Sequence, residues 1–377
     1  MSSSGAPDLP VPYVDIADQF RDDREALMPI IEQVLESGQH VGGSWESRLE
    51  AALAEWCGTR HVLALNSGTD ALILALEALG VGPGDEVITP PNSFVASTAV
   101  INRVGATPVF ADVLADQNID PGAVENAITP RTKAIMPVHL TGRVADMKPI
   151  MKLATDHGIA VVEDAAQAIG SRYDGALAGS IGDIGCFSAH PLKNLNACGD
   201  AGYLATDRDD VAEYVRLARN HGLVDRNTVT RFGTVSRMDS LQAAILEFRL
   251  GRLEDTINRR RANAALYREH LDPDLVFSPP CRNIEFNTFH TFVVQVDHRD
   301  ALREHLNDQG IGTAIHYPVP IHLQPAASYL GHGVGDFPVT EEQARRILTL
   351  PIHQGLDEAQ IIRVATAVNT FLGARRQ

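Results

Sequence analysis

The sequence predicts an α/β protein in which a mostly parallel sheet lies between layers of helices. Between about residues 60 and 220, short apolar segments alternate with stretches of helical spacing, as in a sheet whose strands are buried on both faces. After about residue 235 the pattern changes to longer helices with fewer strands. At 377 residues the chain is also long enough for a large domain and a smaller one.

Seven apolar segments are predicted to be the strands of the large domain. They span residues 61–65, 86–89, 108–111, 134–138, 159–162, 184–188 and 203–206. Helices are expected between them, for example from about Gly68 to Leu79 and from about Phe94 to Val104. A ligand of such a sheet binds beyond the carboxyl ends of the strands, and most of the polar residues considered below lie at or near those ends.

The regions on either side of the sheet are predicted to be largely helical. The N-terminal segment should contain helices from about Arg21 to Ser37 and from about Trp45 to Trp56. The later elements are expected to be a long helix at 238–266, strands at 291–296 and 311–315, and helices at 299–309 and 358–372, the last capped by Asp357. We therefore predict a large domain at 1–240 and a smaller α+β domain at 241–377.

Composition and charge argue against several classes of function. The apolar content of 44% and the charged content of 21% are those of an ordinary globular protein, and no stretch has the roughly 18 apolar residues of a membrane span. The net charge of -16 argues against general nucleic-acid binding, which needs a basic surface. The cysteines form no CxxC pair and the N-terminus has no signal-peptide pattern, so we expect a cytoplasmic protein without a metal site.

One lysine differs from the other basic residues in its surroundings. Only four of the 32 basic residues are lysines, and Lys193 lies between an apolar strand and a glycine-rich turn. A lysine amine, unlike a guanidinium group, can lose its proton and attack a carbonyl. Upstream, Asp164 follows another buried strand. A strand-end aspartate with a serine and a lysine on later loops is the layout that an enzyme using pyridoxal 5′-phosphate (PLP) needs.

Seven short motifs follow one another along the chain. They are NSGTDAL at 66–72, EDAAQ at 163–167, FSAHPLKNL at 187–195, GDAG at 199–202, RNHG at 219–222, SRMDSLQAA at 236–244 and HYPVPIHLQ at 316–324. In this order they resemble the sugar aminotransferases of the DegT/DnrJ type, over about residues 10 to 370. That family makes amino sugars from nucleotide-linked keto sugars. The resemblance implies a fold type I PLP-dependent transferase of the aspartate aminotransferase superfamily.

The resemblance implies a set of residues that bind PLP. Lys193 is expected to bind the cofactor covalently and to transfer a proton during catalysis, with a pKa lowered by partial burial and by the cationic cofactor. Asp164 is expected to keep the pyridine nitrogen protonated, which makes the ring an electron sink. The other implied contacts are phosphate binding by Gly68, Thr69 and Ser188, ring stacking by Phe94, and a hydrogen bond from Gln167 near the ring oxygen. The start of a helix, where Gly68 and Thr69 lie, favours a phosphate.

The resemblance also implies candidate substrate contacts. Residues at positions that face the sugar or the nucleotide in the family are Gly42, Gly43, His190, Tyr317 and His322. Arg237 could bind a carboxylate or a phosphate. For each of these six residues the alternative is a packing role or, for Arg237, a structural ion pair.

One position departs from the pattern of the family. The segment before Arg237 usually carries an asparagine that reaches the cofactor phosphate of the partner subunit, and here that position is Val235. A valine side chain cannot donate a hydrogen bond. Either another group replaces this cross-subunit contact, or the phosphate has one contact fewer. The homodimer with a site shared between subunits is still what the resemblance implies.

The resulting hypothesis is a PLP-dependent aminotransferase that works with small-molecule substrates. An amino acid, L-glutamate by resemblance, converts PLP to pyridoxamine 5′-phosphate (PMP), and the keto group of a nucleotide-linked sugar accepts the amine, at C3 rather than C4. A keto-cyclitol or a sugar acid remains open as the acceptor.

Three other functions are weaker alternatives. Sugar dehydration is disfavoured because relatives with that chemistry replace the lysine with histidine. A PLP-binding regulator without turnover has no support from an added DNA-binding or membrane segment. A nicotinamide dehydrogenase would need a GxGxxG turn after the first strand, and the NSGT sequence there does not supply it.

Overall fold

A seven-stranded sheet forms the centre of the larger part of the molecule. The computed structural model describes residues 9–376, whose strands are β1 (His61–Leu65), β2 (Glu86–Thr89), β3 (Thr107–Phe110), β4 (Thr132–Ile135), β5 (Ala160–Asp164), β6 (Arg172–Tyr173), β7 (Ala176–Leu177), β8 (Ile184–Ser188), β9 (Gly202–Thr206), β10 (Glu285–Phe286), β11 (Phe292–Gln295) and β12 (Ile347–Leu350). The sheet has the order β1-β9-β8-β5-β4-β2-β3. All its neighbouring strands are parallel except β9, which is antiparallel to both β1 and β8. The predicted α/β fold with a mostly parallel seven-stranded sheet is confirmed.

Helices cover both faces of this sheet and form much of the smaller part. The helices are α1 (Ile16–Ser37), α2 (Ser44–Cys57), α3 (Gly68–Ala78), α4 (Val95–Arg103), α5 (Pro121–Ala127), α6 (Met147–His157), α7 (Asp209–Ala218), α8 (Ser240–Leu250), α9 (Leu253–His270), α10 (Arg299–Asp308), α11 (Pro338–Arg346) and α12 (Glu358–Arg375). Short 3₁₀ turns lie at 140–142, 321–323 and 325–330.

Alternate residues of the central strands enter two different cores. Along β1, Val62 and Ala64 belong to one buried cluster, whereas Leu63 and Leu65 belong to the other. The first cluster includes residues of α2, α6 and α8, and the second includes residues of α3, α4 and α7. Successive side chains of a strand point to opposite faces, so strands covered on both sides are apolar throughout. This burial explains why the strands could be recognised as continuous apolar runs.

A third buried cluster forms the core of the smaller part of the molecule. Strands β11 and β12 pair antiparallel, and α9, α10 and α12 pack around them. Val11 from the N-terminal segment also belongs to this cluster, and its amide donates to the Gly310 carbonyl at 2.9 Å. The N-terminal segment therefore contacts the C-terminal part of the chain. The predicted domain boundary at residues 240 and 241 stays a prediction.

The chain ends with the helix whose start was predicted from its cap. The Asp357 carboxylate accepts from the Gln360 amide, and the Gln360 side chain accepts from the Asp357 amide, which is a complete capping box. Two other predictions about this half were wrong. The helix expected at 238–266 is two helices that meet at Gly251 and Arg252, and the strand expected at 311–315 is reduced to single pairings of Ile311 with Val11 and Ala314 with Thr349.

Two searches of residues 9–376 gave no candidates. None of their helices is both long and apolar enough to cross a membrane. No group of three or more His, Cys, Asp or Glu side chains in that range could hold a metal ion.

Candidate active site

Asp164 is the last residue of β5 and is held there by its neighbours. Its backbone pairs with the chain segment after β4, where its amide donates to the Pro137 carbonyl at 2.9 Å. Its side chain is 5% exposed. One carboxylate oxygen accepts from the Ser97 hydroxyl at 2.7 Å, and the other accepts from the Ala166 amide at 3.2 Å. A carboxylate has about four lone-pair positions, so acceptor capacity remains for a further N–H group.

Lys193 lies on the loop between β8 and β9, close enough for its charge to interact with Asp164. Within residues 9–376, no hydrogen-bond acceptor or carboxylate pairs with its amine, although the side chain is partly buried. Burial lowers the pKa of Lys193 to about 8, and the negative charge of Asp164 opposes this shift. A larger fraction of the amine is therefore neutral near pH 7 than for an ordinary lysine.

The start of α3 is packed against the ends of β8 and β9. A Cβ atom on Gly68 would lie 2.8 Å from the Ser188 Cβ, and one on Gly202 would lie 2.4 Å from the Gly68 nitrogen. Glycine permits this approach because it has no Cβ. The amides of Gly68 and Thr69 are in the first turn of α3. Amides in the first turn of a helix have no carbonyl acceptor within that helix. These donors, the helix dipole and the Ser188 hydroxyl form a site suited to a phosphate.

Gln167 and the Tyr317 ring meet on another side of Asp164. The Gln167 Oε1 accepts from the Thr141 amide at 2.8 Å, and the Gln167 side chain interacts favourably with the ionised form of the Tyr317 hydroxyl. Burial and the Asp164 charge raise the pKa of Tyr317 to about 12, so the phenol is protonated at neutral pH. The Phe94 ring lies 5.7 Å from the Tyr317 ring and is 54% exposed, which leaves surface for an aromatic ligand.

Three imidazoles interact electrostatically with one another or with Lys193. Burial and the Lys193 charge lower the pKa of His316 to about 4. The pKa of His290 lies well below its ordinary value because of burial first, and then because of Lys193, Arg260, His316 and His190. His190 itself is exposed, and its Nδ1 accepts from the Leu192 amide at 3.3 Å. His290 and His316 are therefore neutral at pH 7, so they add no charge against a protonated Lys193.

Arg237, Gly42 and Gly43 lie together near the start of α8. The Ser240 hydroxyl donates to the Gly42 carbonyl at 3.1 Å, and Gly43 precedes α2 with a φ of 86°. The Arg237 guanidinium donates to the Asn220 Oδ1 at 3.1 Å, while its Nε is buried without a partner in the described part of the chain. No contact in residues 9–376 joins these three residues to Lys193, and their substrate-binding role stays a prediction.

His322 is placed in a small apolar cluster. It is 2% exposed, its Nε2 lies 3.2 Å from the Glu341 Oε1, and its ring lies 4.7 Å from the Phe337 ring. No polar atom of His322 faces solvent, although the residue lies only five positions after Tyr317. In this arrangement His322 has no solvent-accessible donor or acceptor. Its predicted contact with substrate stays a prediction.

The arrangement fits PLP, and it includes groups that the sequence did not point to. A phosphate fits the Gly68 and Ser188 region, a protonated ring nitrogen fits the Asp164 carboxylate, and an aldehyde fits the unpaired Lys193 amine. Ser97, Thr141 and His316 were not predicted. The only sequence signals for them are the SFVAST segment after β2 for Ser97 and the position of His316 directly before Tyr317.

Comparison with known proteins gives concordant results. A profile of the DegT/DnrJ/EryC1/StrS aminotransferase family matches residues 21–369. The dTDP-3-amino-3,4,6-trideoxy-alpha-D-glucose transaminase of Streptomyces venezuelae is 42% identical over 371 residues, which cover 98% of each chain. A protein of Geobacillus stearothermophilus described as a pleiotropic regulatory protein is 40% identical over 365 residues, covering 96% of this chain and 98% of that one. The solved structure of NtdA from Bacillus subtilis with bound PMP has a TM-score of 0.89 and 31% identity, and the match covers 99% of this chain and 87% of that one.

Proposed function

This chain belongs to the DegT/DnrJ/EryC1/StrS aminotransferase family, and we propose that it transfers an amino group from an amino acid to the keto group of a nucleotide-linked sugar. The cofactor is PLP, which alternates with PMP between the two half-reactions. The observation that carries the proposal is the unpaired Lys193 amine, whose pKa is lowered to about 8 beside the Asp164 carboxylate. A general base works best when its pKa is close to the working pH.

The residues of the site divide the chemical work between them. Bound PLP supplies an electron sink for bond cleavage at the carbon that carries the amino group. The Asp164 carboxylate would keep the pyridine nitrogen of the cofactor protonated, and the Ser97 hydroxyl donates to that carboxylate and so restricts its orientation. The Lys193 Nζ moves a proton to or from the reacting carbon. The amides of Gly68 and Thr69 and the Ser188 hydroxyl bind the phosphate, and Phe94 excludes water from one face of the ring.

The acceptor is proposed to be a sugar ketone at C3. The Streptomyces venezuelae relative is described as a transaminase of a dTDP-linked 3-amino sugar, and it matches almost the whole chain. L-glutamate is proposed as the donor. Arg237, whose guanidinium also donates to the Asn220 Oδ1 at 3.1 Å, is proposed to bind a carboxylate or a phosphate. A keto-cyclitol or a sugar acid is the alternative acceptor.

The active form is proposed to be a homodimer that shares its active sites. Residues 219–239 connect α7 to α8, and single backbone pairings join Asn220 to Val235 and Leu223 to Val229. Phe232 in this segment is fully exposed, and Val224, Val229 and Val235 are each about half exposed. Such exposed apolar residues are typical of a surface that binds another protein chain.

A cytoplasmic location is also part of the proposal. All four cysteines of the chain are free thiols, two of them buried and two exposed. Exposed thiols persist in a reducing compartment. The net charge of -16 argues against general nucleic-acid binding, and the expected partners are the donor, the nucleotide-linked sugar and a second copy of the chain.

The visible absorption spectrum of the purified protein with PLP tests this proposal. We expect a band of lysine-bound cofactor that disappears when L-glutamate is added, with one equivalent of 2-oxoglutarate formed per site. The resulting PMP enzyme should then consume a nucleotide-linked 3-keto sugar. Lys193→Ala should give neither band nor turnover, whereas Lys133→Ala, which alters an exposed lysine, should behave as the unchanged protein. Normal turnover by Lys193→Ala would refute the proposal.

A regulatory role is the second candidate, because one relative with 40% identity is described as a pleiotropic regulatory protein. The two roles differ in the spectrum. A regulator without turnover would bind PLP through Lys193 but would release no 2-oxoglutarate and form no PMP. Such a result with several amino acids would favour regulation over catalysis.

A further inference from the structure

We propose that His322 and Glu341 form a latch that positions residues 316–323, and through them Tyr317, the predicted contact of the sugar or the nucleotide. In this role His322 acts through Tyr317 and does not contact the substrate. The inference rests on the proposed function for its kinetic consequence, but the latch itself is a feature of the fold.

The two residues join separate segments inside a buried apolar cluster. His322 lies in the 3₁₀ turn at 321–323, and Glu341 lies in the first turn of α11. The His322 Nε2 is 3.2 Å from the Glu341 Oε1, and the two side chains are nearly inaccessible to solvent. The rings of Phe110 and Phe337 pack around the imidazole at 6.5 Å and 4.7 Å.

The protonation state of His322 follows from its two nitrogens. Its Nδ1 is buried without a partner in the described residues, so that atom carries no proton that would need an acceptor. The Nε2 therefore donates to the Glu341 carboxylate as the neutral tautomer. Burial lowers the pKa of His322, in agreement with a neutral ring. The imidazole serves as a single hydrogen-bond donor of fixed direction.

Glu341 is itself fixed by several donors. Its carboxylate accepts from the Gly335 amide at 2.8 Å and from the Phe337 amide at 3.3 Å, in addition to His322. The start of α11 is bound to the larger part of the molecule, because the Asp112 carboxylate accepts from the amides of Val339 and Thr340, both at 3.0 Å. The latch therefore connects residues 316–323 to a helix that does not move freely.

The first residue of the same 3₁₀ turn is also bound to the loop that carries Phe94. The Ile321 amide donates to the Pro91 carbonyl at 2.8 Å, three residues before Phe94. The centres of the Phe94 and Tyr317 rings lie 5.7 Å apart. A shift of the 3₁₀ turn would be transmitted to Tyr317 through a few backbone bonds. Displacements of about 1 Å at a reacting site can lower rates about a hundredfold.

Two substitutions in the same cluster separate positioning from packing. His322→Phe keeps the ring volume and removes the hydrogen bond to Glu341. His332→Phe is the matched control, because His332 lies 5.0 Å from the Phe337 ring and bonds to Asp336 but not to Glu341. His322→Gln restores a donor that can reach the carboxylate. Glu341→Gln, which removes the charge but keeps one acceptor oxygen, replaces His322→Phe in the comparison if that variant does not fold.

Hydrogen–deuterium exchange and steady-state kinetics on the PLP enzyme are the readouts. In His322→Phe, amide exchange over residues 316–323 should accelerate at least about tenfold, and KM for the keto sugar should rise about tenfold, with the glutamate half-reaction within about twofold. His332→Phe should show neither effect, and His322→Gln should reverse part of both. The latch would be overturned if amide exchange over residues 316–323 were the same in His322→Phe as in the unsubstituted protein. It would also be overturned if His322→Phe lost activity equally in the two half-reactions.

These measurements distinguish a failure of the latch from a failure of the proposed aminotransferase function. The exchange measurement needs no substrate, so it judges the latch even if the unchanged protein proves inactive with glutamate. Inactivity of the unchanged protein would instead count against the proposed function alone.

Discussion

The hydroxyl of Ser97 lies 2.7 Å from the Oδ2 of Asp164 and donates a buried hydrogen bond to it. Ser97 is on α4, in the first turn, and Asp164 ends β5, so the bond joins a helix to the carboxyl end of a strand. Hydrogen bonds to ionised groups are stronger than those between neutral groups. Ser97 therefore helps to hold the Asp164 carboxylate in one orientation.

Ser97→Ala should lower both stability and turnover. The loss of a hydrogen bond to a charged group costs about 1.5–3 kcal/mol in the free energy of unfolding, to be measured by urea denaturation. If the substitution also raises the activation free energy of the reaction by about 1.4 kcal/mol, turnover falls about tenfold. Ser97→Thr, which keeps the hydroxyl, should recover most of the activity.

Thr98→Val is the control for this prediction. Thr98 is the next residue, equally within α4, and its hydroxyl is buried without a partner in the part of the chain that the structure describes. Replacing an unpaired hydroxyl with a methyl group of the same shape should leave stability unchanged or raise it. If the two variants lost the same activity, the Ser97 bond to Asp164 would have no special role.

The rate at which the apoprotein captures PLP should rise with pH up to about 8. Only the neutral Lys193 amine attacks the cofactor aldehyde, and its pKa is lowered from 10.5 to about 8. About one tenth of the amine is then neutral at pH 7, and the rate should increase about tenfold per pH unit below pH 8 before it levels off. Stopped-flow absorbance at a series of pH values measures this profile.

Asp164→Asn should move the same profile to lower pH. The Asp164 charge favours the protonated form of Lys193 and so raises its pKa, in opposition to burial. Removing that charge lowers the pKa further, and the midpoint must shift downwards. A midpoint near 10.5 in the unchanged protein would mean that the amine is solvated, contrary to the structure.

Gly68→Ala should weaken the binding of PLP at least about tenfold. The added Cβ would lie 2.8 Å from the Ser188 Cβ and 3.2 Å from the Phe187 carbonyl oxygen, so the helix start must move away from Ser188. The amides and the hydroxyl would then no longer converge on one phosphate. Equilibrium dialysis with PLP measures the change. Gly82→Ala is the control, because its Cβ meets only the Val104 carbonyl oxygen at 3.9 Å.

Phe232→Asp should shift the protein from dimer towards monomer. Phe232 is fully exposed within the 219–239 segment, where a charge would oppose burial in an interface. Sedimentation velocity measures the association state, and activity should fall in parallel if the sites are shared. Val334→Asp, at another position that is 81% exposed, should leave both unchanged. If Phe232→Asp and Val334→Asp both sedimented as dimers, the interface would not include Phe232.

Val235→Asn should be tolerated and should bind PLP as tightly as the unchanged protein or more tightly. Val235 is about half exposed and pairs with Asn220 through its backbone alone, so the side chain can change without loss of that pairing. An asparagine at this position can donate a hydrogen bond, which valine cannot. Loss of cofactor from the variant would show that the valine side chain packs in the interface.

The sheet and several elements could be predicted because their signals are local. Strands buried on both faces are apolar along their whole length, as β1 and β5 are, and the capping box of α12 involves residues three positions apart. The break between α8 and α9 was missed because the apolar spacing continues across it, and only Gly251 weakens the helix there. Lys193 and Asp164 were predicted from motif context, and their individual roles remain to be tested.

Local sequence patterns predicted the α/β class and the ordered motifs predicted the family, and both are confirmed. The assignment of the catalytic chemistry to Lys193 and Asp164 stays a prediction. Tertiary structure alone decided which groups surround them. Ser97 lies 67 positions from Asp164 along the chain, and His322 is enclosed by Phe110 and Phe337 from two other segments. Contacts of this kind depend on how the strand ends and loops are brought together in space. They leave no periodic pattern in the sequence, because each one involves a single side chain and not a repeating face.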